Sequence, residues 1–132
     1  MKIVILDDSL SMRMIIEAYL EELAVPDNAI YSFERGQDAL DFIDKEAVHI
    51  VFSDMYMPSM DGPIFVKKLL DKHPHLAASL FIISGEDSQE KLKIMKDAGG
   101  KRYIRKPIDV KHFNHYVKAE ITKIRLQEKI FE

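Results

Sequence analysis

Asp7, Asp8 and Asp54 bring three carboxylates, Ser84 a hydroxyl and Lys106 an ammonium, and each sits at or just beyond a short apolar run. Three carboxylates in one cleft repel one another unless a cation lies among them, and a hard, oxygen-preferring ion such as Mg²⁺ is the natural companion. An ammonium and a hydroxyl at the rim of such a cleft supply the charge and the hydrogen bond that a phosphoryl group needs. Together the residue types point to phosphoryl chemistry at a metal-bearing acidic cleft. Each residue alone has a plainer reading: Asp7-Asp8 as a helix cap and dipole partner, Asp54 as a turn former, Ser84 as a cap, Lys106 as a solvated charge. The elements that carry them decide between the two.

Continuous apolar runs occur at Ile3 to Leu6, Val48 to Phe52 and Leu80 to Ile83, without the polar alternation of a half-exposed strand, and so fit strands covered on both faces. Ala29 to Phe33 and Tyr103-Ile104 are weaker strand candidates. Between these runs lie stripes at helical spacing. The clearest is Met12, Ile15, Ile16, Tyr19, Leu20 and Leu23, with Arg13, Glu17, Glu21 and Glu22 outside; others are Ala39, Leu40 and Ile43, then Phe65, Val66, Leu69 and Leu70, then Leu92 and Met95, and finally Phe113, Tyr116, Val117, Ile121 and Ile124. Asp61-Gly62-Pro63 supplies a cap candidate and an early proline, and Gly99-Gly100 a stop.

Strand then helix, five times over, implies an α/β fold: a doubly wound parallel sheet with right-handed crossovers and helices on both faces. In open sheets of this kind, ligands sit beyond the carboxyl ends of the strands, where strand order reverses. The first strand then ends in Asp7-Asp8, the third in Asp54 and the fourth in Ser84, and Lys106-Pro107 falls in the loop after the fifth. Independent caps do not require that convergence.

Composition excludes several other functions. At 132 residues, 47% hydrophobic and 31% charged, the chain reads as one globular domain, 1–132, with a core of about 2–125 and a C-terminal helix running to the end. A net charge of -3 gives no field to hold nucleic acid or an anionic membrane. Cysteine is absent, which removes disulfides, zinc knuckles and thiol nucleophiles and agrees with a cytoplasmic location. No apolar run approaches the ~20 residues of a membrane span. Lys91, Lys93, Lys96, Lys101, Arg102 and Arg105 make the fourth-helix side basic and read as a solvated face; His112 and His115 lack any metal-ligand context.

The stretch Ile50-Val51-Phe52-Ser53-Asp54-Met55-Tyr56-Met57-Pro58-Ser59-Met60-Asp61-Gly62 resembles the phosphorylation-site signature of response-regulator receiver domains of two-component systems, of the single-domain chemotaxis type. Further pieces follow in family order: Asp7-Asp8 resembles the acidic pair, Ser84-Gly85 the hydroxyl residue and its small neighbour, and Ala98 to Pro107 the segment with the switch aromatic and the lysine. The resemblance implies a flavodoxin-like fold with strand order 2-1-3-4-5. It also implies a Mg²⁺ site ligated by Asp8, Asp54 and the Tyr56 backbone carbonyl, with Asp7 acting through water. Asp54 is then the phosphoacceptor, Lys106 steadies the transferred charge, Ser84 and Tyr103 form the switch, and Pro107 follows a cis peptide bond. The implied partners are a sensor histidine kinase or histidine phosphotransfer protein and a downstream protein target, reached through the face of helix four, strand five and helix five. The expected assembly is a monomer or weak dimer, and output is expected through contact with another protein, unless the chain is an excised piece of a longer one.

Two positions depart from the commoner pattern. Tyr56 is bulky and stands two residues after the acceptor, whereas Gly85 leaves room beside the cleft. Three rival readings compete with this one. A haloacid-dehalogenase-type phosphatase needs an Asp where Tyr56 stands, and a flavodoxin-like flavin binder needs a phosphate loop where the chain puts two carboxylates. A degenerate receiver used only as a scaffold is the harder rival to dismiss, yet every polar group needed for transfer is present.

Overall fold

The structure, a computed structural model, describes residues 1–85 and 88–130. Five strands, β1 (Ile3–Leu6), β2 (Ile30–Phe33), β3 (Ile50–Asp54), β4 (Leu80–Ser84) and β5 (Arg102–Arg105), alternate with five helices, α1 (Leu10–Glu22), α2 (Gly36–Lys45), α3 (Gly62–Lys72), α4 (Gln89–Ala98) and α5 (Val110–Ile130). All strand pairings are parallel, in the order β2-β1-β3-β4-β5. β1 has neighbours leaving in opposite directions, so the reversal of strand order falls beside the carboxyl ends of β1 and β3.

The continuous apolar runs exist because the sheet is covered twice. Odd positions of β1 and even positions of β3, among them Ile3, Ile5, Ile50 and Phe52, join Phe81, Ile83 and Ile104 against Ile16 and Leu20 of α1 and Phe113, Val117 and Ile121 of α5. The alternate residues Val4, Leu6, Val51, Leu80 and Ile82 meet Ala39 and Ile43 of α2, Phe65, Val66 and Leu69 of α3 and Met95 of α4. Phe52 stacks on Phe81 and on Phe113, tying the middle of the sheet to α5. Each fully buried large apolar side chain here contributes about 1.5–3 kcal/mol, which makes the strand rim a rigid platform for polar side chains.

Several sequence expectations shift in detail. Ile15 and Tyr116 are 38% and 48% exposed, because the apolar arcs of α1 and α5 are wider than the strip one helix can press onto a sheet. Ala29 closes a 3-10 turn, so β2 begins at Ile30, and β3 starts at Ile50 rather than Val48 and extends through Asp54. Asp61 stands at the N-cap of α3 but its side chain makes no capping hydrogen bond. Gly62 matters more for close approach: a Cβ there would lie 2.4 Å from the Met55 carbonyl oxygen, while its N–H donates to that oxygen at 3.1 Å. Gly99 does end α4, with φ of 116°. α5 reaches Ile130; Arg125 in its second half donates to the Leu23 and Ala24 carbonyls at the end of α1, and the last two residues lie outside those described.

Candidate functional site

β1 delivers Asp7 and Asp8, β3 delivers Asp54, and the three side chains each place a carboxylate oxygen within 4.8 Å of the others. Asp7 and Asp54 are buried and Asp8 is exposed. The cap of α1 is Ser9, whose hydroxyl accepts from the Met12 N–H at 3.3 Å. α4 is capped by Ser88. Asp8 and Ser84 are therefore not the capping residues that a purely structural reading would make them.

Asp7 is held by its neighbours on three sides. Its N–H donates to the Phe33 carbonyl, its own carbonyl accepts from the Arg13 guanidinium at 2.7 Å, and its Oδ1 accepts from the Ser9 N–H at 2.9 Å. Oδ2 is buried with no hydrogen-bond partner among the described residues. Burial pushes the Asp7 carboxyl up to about 6; Asp54 and Asp8 add to the rise, while the Ser9 hydrogen bond and the Lys106 charge oppose it. An orphaned carboxylate oxygen in a group of three clustered carboxylates is what a hard divalent cation would satisfy, so the donor set fits Mg²⁺.

Lys106 arrives from the far edge of the sheet. Its N–H donates to the Ser84 carbonyl at 2.9 Å, the following peptide to Pro107 is cis, and its Nζ reaches Asp54 Oδ1 at 3.1 Å. Beside it, a Cβ on Gly85 would touch the Lys106 stem at 3.7 Å, an ordinary contact, so the room at Gly85 is real. The Ser84 side chain is buried and its hydroxyl donates to the Met55 sulfur at 3.1 Å. Tyr103 is half-buried against the α3–α4 core, its hydroxyl donating to the Gly100 carbonyl at 3.0 Å, and burial raises its pKa. Between α4 and β5 a cavity of about 870 Å³ runs from Ser84 past Leu92, Lys93 and Lys96 to Tyr103 and Arg105.

All five residues singled out for chemistry thus converge on one rim, and Tyr56, two residues past Asp54 in the chain, is 45% exposed. Sequence reasoning missed Ser9, Arg13 and Met55. Ser9 carried a signal, a serine directly before a helical stripe; Met55 reads only as core, and Arg13 as solvent-facing.

The family model for the response regulator receiver domain matches residues 3–118. The chain belongs to the response-regulator receiver family, the CheY-like phosphoacceptor modules of two-component signalling. It is similar to a chemotaxis protein CheY homolog of Campylobacter jejuni, 32% identical over 108 residues that cover 81% of this chain and 82% of the relative. Among solved structures, chemotaxis protein CheY4 of Vibrio cholerae matches with a TM-score of 0.79 at 24% identity, covering 89% of this chain and 96% of that one. An uncharacterized protein from Neptuniibacter caesariensis matches with a TM-score of 0.81 at 23% identity, covering 97% and 92%. At these identities the two structures speak to the fold, which is the doubly wound receiver fold with helices on both sheet faces. No described helix is long and apolar enough to cross a membrane.

Proposed function

We propose that the chain is one receiver unit that accepts a phosphoryl group on Asp54 from a phosphohistidine of a sensor kinase or phosphotransfer protein, and that this switches the α4–β5–α5 face for a protein target. The observation that carries the reading is Lys106 Nζ at 3.1 Å from a buried Asp54 that shares a cleft with two more carboxylates. Asp8, Asp54 and the Tyr56 carbonyl would hold Mg²⁺, with Asp7 behind them through water. The ion's contribution when bound is neutralisation of carboxylate and phosphoryl charge.

The chain's own residues do the rest. An Asp54 carboxylate oxygen forms the bond to phosphorus as the phosphorus–nitrogen bond of the donor breaks, its electron pair returning to the imidazole. Lys106, already paired with that carboxylate, stays with the charge that moves onto the phosphoryl oxygens. The Ser84 hydroxyl leaves the Met55 sulfur for a phosphoryl oxygen, and the Tyr103 ring, released from the Gly100 carbonyl, follows into the vacated space. The chain is an acceptor that assists its own phosphorylation and dephosphorylation rather than a turnover enzyme.

The test is incubation with Mg²⁺ and acetyl phosphate, read by intact mass. One phosphoryl group should be gained, and chelation of the metal should prevent it; a folded protein that gains none would overturn the reading. Lys106→Met should form the acyl phosphate about 100-fold more slowly, the size of effect seen when one donor to a developing charge is removed. Tyr56 is expected to screen the in-line path of water, so Tyr56→Asn should shorten the acyl-phosphate half-life several-fold. An unchanged or longer half-life in that variant would count against the screening role.

A further inference from the structure

The Lys91 ammonium lies 5.1 Å from the centroid of the Tyr56 ring. The two residues belong to opposite walls of the cleft: Tyr56 to the loop leaving β3 directly after the acceptor, Lys91 to the first turn of α4 beyond β4. That turn is fixed by Ser88, whose hydroxyl accepts from the Lys91 N–H at 3.5 Å and whose carbonyl accepts from the Leu92 N–H at 3.1 Å. Tyr56 itself is 45% exposed, so a cation over its face adds to the hold on its ring. A cation set over an aromatic face supplies a directional hold that apolar contact does not.

We propose that Lys91 is a positioning residue: by holding the Tyr56 ring across the mouth of the cleft, it lengthens the life of the phosphoryl group on Asp54. This rests on the phosphoacceptor reading above and adds to it a second residue, on the other wall, that sets the lifetime. Hydrolysis needs a water on the side of phosphorus away from the Asp54 oxygen, which is the side open to solvent. A ring clipped from β3 to α4 stands in that approach, and loosening the clip leaves it there for less of the time. The clip also joins the acceptor loop to α4, so any displacement of α4 changes the exposure of the acyl phosphate.

The experiment loads the protein with acetyl phosphate and Mg²⁺, removes the donor, and follows loss of label by intact mass. Lys91→Met should shorten the half-life roughly 2- to 5-fold, the loss expected for one exposed cation–π contact. Lys91→Arg should restore it, since a guanidinium keeps the charge over the ring, and Lys45→Met, which removes an exposed charge from α2, should leave it unchanged. Lys91→Met combined with Tyr56→Asn should decay no faster than Tyr56→Asn alone. An unchanged half-life in Lys91→Met, or additive effects in the double variant, would overturn the proposal. A second readout does not need phosphorylation: ring current should shift the Lys91 side-chain methylene protons upfield, and Tyr56→Leu should abolish that shift. Absence of the shift overturns the clip itself. A protein that shows the shift yet takes no label fails instead at the phosphoacceptor reading, and the lifetime role falls with it.

Discussion

Asp54→Asn is expected to stay folded and to take up no phosphoryl group, in the same incubation that labels the wild type. An amide has no carboxylate oxygen to offer phosphorus, so the acyl phosphate cannot form and the loss is complete rather than graded. The substitution is close to isosteric at a buried position, and its remaining carbonyl oxygen can still accept from Lys106 Nζ, which now pairs with Oδ1 at 3.1 Å. It also removes one of three carboxylates clustered within 4.8 Å of one another, so the repulsion that helps raise the Asp7 carboxyl falls. Urea unfolding without divalent ions should therefore show the variant at least as stable as the wild type. Loss of label with stability kept places the chemistry on this side chain; equal labelling of the variant would mean that phosphorus goes elsewhere and that the acidic cleft is not the acceptor.

The convergence of the site was legible for a simple geometric reason. A parallel strand covered on both faces is a largely apolar run, and the polar residues that close it emerge at the carboxyl rim: Asp7 after Leu6, Ser84 after Ile83, and Asp54 one residue past the buried Ser53. Lys106 was harder, because β5 is a short edge strand with Arg at both ends and only Ile104 fully buried. What local pattern could not carry was contact between distant positions. Nothing near Met55 announces that its sulfur receives the Ser84 hydroxyl, and nothing near Arg13, on the polar side of an amphipathic stripe, announces that it binds the Asp7 carbonyl. The Tyr56–Lys91 contact joins two exposed residues of different elements, each of which reads alone as surface. Hydropathy likewise treats Ile15 and Ile16 alike, whereas the helix turns them 100° apart and only the second meets the sheet.

The same crowding of carboxylates that suits a divalent ion should weaken the metal-free fold, and Asp7→Asn should expose the cost. Asp7 titrates near 6 in the folded protein against an ordinary 3.8. Between those values the folded state binds more protons than the unfolded chain, so stability falls as pH rises through this window. Above about pH 6 the full difference applies, about 3 kcal/mol at ~1.4 kcal/mol per unit of pKa. An asparagine keeps the Oδ1 that accepts from the Ser9 N–H, puts an amide N–H₂ where the unpartnered Oδ2 lies, and removes one charge from the cluster with Asp8 and Asp54. In the absence of divalent ions, the variant should therefore gain roughly 1–3 kcal/mol over the wild type at pH 7.5, and the gain should shrink towards nothing near pH 4. Added Mg²⁺ should stabilise the wild type and do less for the variant, since one of the groups that invites the ion is gone. Urea denaturation at both pH values, with and without Mg²⁺, measures all three differences. A variant less stable than the wild type at pH 7.5 without metal would mean that Asp7 is satisfied as it stands, and that the cleft holds no strain for a cation to relieve.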